Sequence, residues 1–272
     1  VKELETELGI EIFYRTTKGV SLSVDGAEFL SYARQVIEQT ALLEQRYLGK
    51  KPSKLLCSIS TQHYAFAVNA FVNLLLALDV DEYEFMLRET RTYEIIEDVK
   101  NLRSELGIIY LSDFNEKVLN KLLKESRLVF HPLFKADPHI FISSAHPLAK
   151  KDLVSLDDLE EYPFLAFEQG EYNSFYFSEE ILSTLPRKKT IYVSDRATLF
   201  NLLIGLNGYT ICTGVLNSNL NSDNIISVPL ETDESMLVGW IANEKSHLSA
   251  IASDYIAELK RLIAEYGFTV LS

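Results

Sequence analysis

One stretch near the start of the chain, residues 8–30, constrains the fold most because its structural signal changes several times. Gly9 follows an amphipathic run and predicts the left-handed residue that ends a helix. Apolar and polar residues then alternate on both sides of the basic turn 15–19, which predicts two short strands joined as a hairpin. Asp25 is the predicted N-cap of the long helix that follows.

A long spaced pattern of residue types runs through the same stretch. Its members are Leu8, Gly9, Phe13, Arg15, Gly19, Leu22, Ser23 and Gly26. A second motif lies downstream and consists of His146-Pro147-Leu148-Ala149, Val154, Leu156, Asp158, Leu159, Pro163 and Phe164. Patterns of this length and spacing are specific, and both resemble signatures of the LysR-type transcriptional regulators. For the first pattern, the alternative is a β-hairpin in an unrelated α/β protein.

The resemblance implies an α/β fold in two parts. The wing and linker-helix remnant of a winged helix-turn-helix would be followed by a two-lobed effector domain like the type 2 periplasmic binding proteins. The sequence begins at Val1, within what resembles the tail of the recognition helix, so we expect an N-terminally truncated protein without the part that reads bases in the major groove. The implied domains are 1–24, the C-terminal part of the DNA-binding domain; 25–52, the linker (dimerisation) helix and hinge; and 53–272, the effector-binding domain, with lobe one at 54–134 and 235–272 and lobe two at 135–234.

Beyond residue 55, short apolar strands alternate with helical patterns. This alternation by itself predicts two α/β units with right-handed crossovers and mainly parallel sheets. The predicted helices include residues 92–104 and residues 156–161.

The predicted linker helix carries a broad apolar stripe. Its members are Phe29, Leu30, Ala33, Val36, Ile37, Leu43 and Tyr47. The stripe is wider than burial against a small hairpin requires, which indicates a helix–helix partner. A helix packed on its own domain is the alternative. The resemblance implies an antiparallel pair of linker helices, and therefore a homodimer or a homotetramer.

Net charge and composition limit the kinds of partner that the chain is expected to bind. The formal net charge of −13 argues against nucleic-acid binding by the chain as a whole, because duplex affinity depends on cations that neutralise phosphates. The resemblance nevertheless implies that the full-length protein binds double-stranded DNA, with hairpin contacts from Arg15, Thr16 and Lys18. We expect no membrane partner and a cytoplasmic location. Cys57 and Cys212 are then reduced, buried thiols, and a redox-sensing pair is the alternative.

Ligands of open α/β sheets bind beyond the carboxyl ends of the strands, where helix N-termini present unpaired N–H groups. This rule selects an effector site made of Ser60, Thr61, Gln62, His63, Thr90, Arg91, Tyr110, Phe167, Glu168, Ser194 and Thr213. Hydroxyls, amides and a bidentate guanidinium at Arg91 suit a small carboxylate or a similar polar metabolite. The alternatives are N-caps for Ser60 and Ser194, a surface cation for Arg91, and packing for the aromatic members.

Catalytic signatures are missing from the sequence. It contains no Gly-x-Ser-x-Gly elbow, Walker-type phosphate loop, Gly-x-Gly-x-x-Gly or Cys-x-x-Cys motif. The five histidines show no metal-ligand spacing, so we expect no metal, no cofactor and no enzymatic activity. A solute-binding protein of a transport system is the alternative to a regulator, but such receptors need neither the basic hairpin nor the long helix.

Overall fold

The structure is a computed structural model that describes residues 1–16, 19–48, 55–80, 82–216 and 224–271. The chain divides into two compact units. The first contains Val1–Leu56, Val80–Phe85 and Asn101–Arg103, and the second contains Cys57–Asp79, Met86–Lys100 and Ser104–Ser272. The domain boundaries drawn from the sequence stay a prediction, and the predicted hinge lies largely outside the described residues.

The N-terminal segment of the first unit is a helix followed by a hairpin. Helix α1 (Lys2–Leu8) ends at Gly9 with a φ of 66°, which confirms the predicted left-handed residue. Strands β1 (Phe13–Thr16) and β2 (Gly19–Leu22) pair in antiparallel register, with Phe13 opposite Leu22. Glu5 joins helix to hairpin, since its Oε1 accepts hydrogen bonds from the N–H groups of Ile12 (2.8 Å) and Phe13 (3.1 Å).

Helix α2 (Val24–Leu48) begins one residue earlier than the sequence suggested. Its cap is Ser23, whose Oγ accepts a hydrogen bond of 2.7 Å from the N–H of Gly26, so the prediction of Asp25 as the cap is wrong. The same hydroxyl donates to the carbonyl of Glu11. A Cβ on Gly26 would lie 2.0 Å from the carbonyl oxygen of Ile12, so this position accepts no side chain. Both signature residues therefore hold the hairpin against the start of α2.

The remaining elements follow in chain order. The strands are β3 (Leu55–Thr61), β4 (Tyr83–Glu89), β5 (Leu106–Leu111), β6 (Leu128–Ala136), β7 (His139–Ser143), β8 (Phe164–Phe167), β9 (Thr190–Val193), β10 (Thr210–Cys212), β11 (Ile225–Pro229) and β12 (Met236–Asn243). The helices are α3 (Ala65–Ala77), α4 (Thr92–Lys100), α5 (Glu116–Glu125), α6 (Arg196–Leu206) and α7 (Ala250–Glu265). Short 3₁₀ turns cover Asp157–Leu159, Gly170–Tyr172 and Phe175–Phe177.

The sheets are mixed. In the five-stranded sheet, ordered β4-β3-β5-β12-β6, β3 runs parallel to β5, whereas β12 is antiparallel to β5 and to β6. The three-stranded sheet β10-β7-β11 is antiparallel, and β8 pairs with β9 in parallel. The expectation of mainly parallel sheets is therefore wrong. Because the chain leaves lobe one along β6 and returns along β12, these two crossing strands run in opposite directions.

Two separate apolar clusters fill the two lobes of the second unit. The cluster of lobe one is formed by Ile95, Ile96, Val99, Ile109, Leu111, Leu119, Leu123, Leu128 and Ile241. The cluster of lobe two is formed by Phe141, Leu165, Phe167, Val193, Leu199, Leu203 and Ile225. Each cluster lies between helices and a sheet, as burial of one apolar face per element requires.

Two predicted helices are shorter than expected. Helix α4 ends at Lys100 rather than at residue 104, and the backbone of Leu102 adopts a φ of 55°, which a continuing right-handed helix cannot include. The predicted helix 156–161 is reduced to the 3₁₀ turn Asp157–Leu159. In the described part of the chain, none of the helices combines the length and the hydropathy needed to cross a bilayer.

Candidate functional site

Gln62 organises the ends of the parallel strands. It follows β3 directly and is fully buried. Its Oε1 accepts hydrogen bonds from the hydroxyl of Tyr64 (2.9 Å) and the N–H of Tyr110 (3.1 Å), and its Nε2 donates to Oγ1 of Thr92 (2.6 Å). One amide side chain therefore fixes the positions of β3, β5 and the start of α4. Because both polar atoms of its amide have protein partners, Gln62 has a structural role in this region.

His63 is the next residue and makes an ion pair with Glu179 of lobe two. Its backbone N–H donates to Oε2 of Glu179 at 2.8 Å, and its Nδ1 lies 3.0 Å and 2.9 Å from the two carboxylate oxygens. The ring stacks on Phe167 with centroids 3.9 Å apart. Burial lowers the pKa of His63, but the charge and hydrogen bond of Glu179 outweigh it, so the pKa lies above its usual value.

Arg91 makes a second ion pair between the lobes. Its guanidinium donates to Oε1 of Glu168, and also to Oε1 of Glu94 at 2.9 Å. Thr90 donates its hydroxyl to the other oxygen of Glu94. The hydrogen bond between Arg91 and Glu168 raises the pKa of Arg91 and lowers the pKa of Glu168. The cation expected to bind an effector is thus already paired with a carboxylate of this chain.

Residues 168–180, which we call the bridging segment, supply several lobe-two contacts with lobe one. Gln169 accepts a hydrogen bond of 3.2 Å from the N–H of Thr92, and it donates to Oε1 of Glu179 at 3.3 Å. The hydroxyl of Tyr110 donates to the carbonyl of Ser178 at 3.1 Å.

Stacked aromatic rings continue this contact in the middle of the bridging segment. Tyr172 stacks on Tyr93 with centroids 3.6 Å apart, and Tyr176 stacks on Phe114 at 4.8 Å. Phe177 packs against the apolar cluster of lobe one. The bridging segment is therefore part of lobe two in the sequence, but it packs on the surface of lobe one.

A small cavity lies beside the His63–Glu179 pair. Its volume is about 40 Å³, and its lining includes Phe167, Arg196 and Thr213. Glu180 also lines it and accepts a hydrogen bond of 2.9 Å from the N–H of Phe167. Burial raises the pKa of Glu180 well above its usual value. A cavity of this size holds about one water molecule.

Most of the predicted effector residues meet in this region. They are Gln62, His63, Thr90, Arg91, Tyr110, Phe167, Glu168 and Thr213. Thr61 is buried, and its hydroxyl donates to the carbonyl of Gln62 at 2.8 Å. Their contact with an effector stays a prediction.

Ser60 and Ser194 have other surroundings. The hydroxyl of Ser60 donates to Asp98 inside lobe one at 2.8 Å. Ser194 is exposed before α6, whose cap is Asp195, which accepts from the N–H of Thr198 at 2.8 Å.

Sequence reasoning missed Gln169, two acids of lobe two and a third ion pair. Gln169 lies one residue beyond the strand-end position at Glu168 and was within reach of the strand-end rule. Glu179 and Glu180 lie far from any strand end, so the rule could not select them. Arg196, whose Nε lies 3.1 Å from Oε1 of Glu89, begins α6 where the pattern suggested only helix.

The hairpin of the first unit carries the predicted DNA contacts. Arg15 lies on β1 opposite Val20 and is exposed. Thr16 pairs through its backbone with Gly19. Lys18 lies outside the described residues, so its predicted contact has no structural description.

Comparison with known proteins identifies the family. The LysR substrate binding domain matches residues 80–264, which is more than half of the chain. The chain belongs to the LysR-type transcriptional regulators, whose effector domain has the two-lobed fold described above.

Individual relatives are distant. The uncharacterized HTH-type transcriptional regulator YnfL of Escherichia coli (strain K12) is 23% identical over 256 residues, which cover 91% of this chain and 82% of that protein. The solved structure of a full-length OxyR point variant from Pseudomonas aeruginosa superposes with a TM-score of 0.63 at 17% identity, covering 96% of this chain and 86% of that one. A full-length point mutant of BenM gives a TM-score of 0.54 at 18% identity over 100% of this chain and 88% of that one. The two structures show the fold.

Proposed function

We propose that a small anionic effector binds between the two lobes and thereby changes how a dimeric form of this protein binds DNA. The observation that carries this proposal is the set of ion pairs between the lobes: His63–Glu179, Arg91–Glu168 and Arg196–Glu89. Because each pair joins one lobe to the other, a charged ligand that competes for either partner changes the free energy of the lobe arrangement.

The chemistry of the effector follows from the groups that lobe one offers. Arg91 and, when protonated, His63 supply cations, and α3, a 13-residue helix, begins two residues after His63 at Ala65. A helix N-terminus and two cations favour a carboxylate over a neutral or cationic metabolite. Arg91 is more exposed than His63, and it is therefore the first group that an incoming carboxylate would meet.

Dimerisation is assigned to the apolar stripe of α2. Val36, Ile37, Leu43 and Tyr47 are each more than half exposed on this helix. A stripe of this kind along a helix of 25 residues suits burial against the same stripe of a second copy. A homodimer built on α2 is the unit that we propose, and pairs of such dimers would give a homotetramer.

The dimer proposal is tested by placing a charge on the stripe. Ile37→Glu should lower the dimer affinity by at least tenfold, because each dimer would bury two unpaired carboxylates. Gln39→Glu is the matched control, since it adds the same charge to a position of the same helix that is already polar. Sedimentation velocity across a concentration series measures both variants. Unchanged association of Ile37→Glu would place the dimer contact elsewhere.

DNA contact is assigned to the hairpin, with Arg15, Thr16 and Lys18 near the phosphates rather than the bases. Phosphate contacts bind duplexes of any sequence and weaken with salt.

The protein would act in the cytoplasm as a regulator rather than as a catalyst. Burial raises the pKa of the Cys212 thiol, which suits a reduced and unreactive side chain. A transport receptor, the alternative, gives no role to the hairpin or to α2.

A gel shift tests the proposed function. The full-length protein is mixed with its own promoter region at low salt, with and without a panel of small carboxylates. We expect a shifted band whose affinity or mobility changes with at least one carboxylate. Arg15→Ala should weaken binding to all sequences and reduce the slope of affinity against salt. A folded dimer that gives no shift at low salt would overturn the proposal.

A further inference from the structure

Glu179 occupies the position in which an anionic effector would be expected. Its carboxylate accepts from the backbone N–H of His63, pairs with the His63 side chain, and lies just before the first turn of α3. It also accepts a hydrogen bond from Nε2 of Gln169. The side chains of Glu179 and His63 are only 4% and 5% exposed. A backbone donor, a cation and a helix N-terminus together are what a free carboxylate would use.

The space around this carboxylate excludes a metabolite in the same position. The adjoining cavity has a volume of about 40 Å³, whereas an aromatic ring needs a cavity of about 150 Å³. Common ligand sites are larger still, at roughly 300–1,000 Å³. A carboxylate effector can therefore reach the N–H of His63 only after the side chain of Glu179 has left.

Removal of Glu179 would also weaken the attachment of the bridging segment to lobe one. Residues 168–180 are held on lobe one by the contacts of Glu168, Gln169, Ser178 and Glu179. Two of these four residues use carboxylates, and a competing anion can replace both. The remaining contacts are made by the amide of Gln169, the carbonyl of Ser178 and the stacked rings. None of these groups carries a negative charge that an anionic ligand could replace.

We propose that Glu179 is an internal ligand: its carboxylate fills the anion position beside His63, and a small carboxylate effector binds by displacing it and releasing the bridging segment. This inference rests on the proposed function and deepens it, since it names the group with which the effector competes. The exchange leaves a carboxylate beside His63, so the histidine keeps a partner while the His63–Glu179 connection between the lobes is lost.

Chemical rescue tests the proposal without knowledge of the natural effector. In Glu179→Ala the anion position is vacant, and acetate restores a carboxylate to it. Thermal unfolding of this variant is followed in sodium acetate and in sodium chloride of equal ionic strength. We expect acetate to raise the Tm of Glu179→Ala by about 3 °C with saturation. The wild-type chain should respond equally to the two salts.

Two controls make the rescue specific. Glu179→Gln fills the same volume with an amide, so acetate cannot enter and should act no differently from chloride. Acetamide, which has the shape of acetate without its charge, should not stabilise Glu179→Ala. If acetate stabilises the folded Glu179→Ala variant no more than chloride does, the internal-ligand proposal fails.

Hydrogen exchange on Glu179→Gln covers the case in which Glu179→Ala does not fold. Loss of the carboxylate charge should speed exchange of the His63 amide and of amides in the bridging segment by about fivefold, while β5 amides stay unchanged. Unchanged exchange at His63 would overturn the proposal. Neither measurement involves DNA, so their failure is distinct from a negative gel shift, which would instead remove the proposed function.

Discussion

Two buried polar clusters, one on strand β3 and one just beyond its end, differ in what they join. Ser60 of β3 is hydrogen bonded to Asp98, which also pairs with Arg88 at 2.9 Å and 3.1 Å. Ser104 completes this cluster, with its Oγ 2.8 Å from that of Ser60. Every member lies in lobe one. Three residues further along the chain, His63 pairs with Glu179 of the other lobe.

The difference lies in what a movement between lobes would cost. The Asp98 cluster joins β3, β4 and α4 of one lobe, so it is unaffected when lobe two moves. The His63 pair must break or find a new partner in such a movement. Burial and charge alone therefore do not distinguish a structural polar cluster from a switching one. The two can be told apart by whether the partners belong to one packed body or to two.

Removing Asp98 should have the largest effect on stability. Asp98→Ala leaves the guanidinium of Arg88 and the buried hydroxyl of Ser60 without this carboxylate, which should lower the free energy of unfolding by about 3 kcal/mol. Asp98→Asn keeps the volume and one acceptor, and it should lose less. Urea unfolding measures both. Exchange in the bridging segment should follow only the global loss of stability, and a selective local increase would contradict the contrast drawn above.

The His63 pair should make the lobe contact sensitive to pH. Its folded pKa is raised, so its contribution is full below the unfolded pKa and is lost as pH rises through the folded pKa. The charged groups around it are Glu179, Glu89, Arg196 and Asp195. The difference in unfolding free energy between wild type and His63→Gln should therefore shrink from acidic to alkaline pH. Urea unfolding of both proteins at several pH values measures this difference. A difference that grows with pH would be inconsistent with the pairing.

The smallest effect is expected at the more exposed inter-lobe pair. Arg91 and Glu168 are 35% and 33% exposed, so solvent screens their interaction. Glu168→Gln should cost less than about 1 kcal/mol, and most of that loss should disappear in roughly 0.5 M salt. Glu160→Gln, at a more exposed acid paired with Lys188, is the matched control. A salt-insensitive loss at Glu168 would mean that the pair is structural rather than electrostatic.

The sequence predicted those residues of the site whose positions follow from local rules. His63 and Arg91 follow strands of one sheet, and strand ends of one sheet meet in space, so the topology brings these two residues together. Glu168 follows β8 of another sheet, where the same strand-end rule selects it. Glu179 lies between short 3₁₀ turns and the next strand, in a segment without periodicity. Its position is decided by packing of one lobe on the other, which no local pattern records. Likewise, the choice of Ser23 over Asp25 as the helix cap depends on the carbonyls of the facing loop.

The missing side chain of Gly26 has a mechanical consequence. Since the carbonyl of Ile12 fills the space where a Cβ would stand, the hairpin and the opening turn of α2 meet backbone to backbone, with no flexible side chain between them. A twist of this long helix about its own axis should therefore turn strands β1 and β2 with it. In a dimer joined along such helices, a change of a few degrees would reorient both hairpins together.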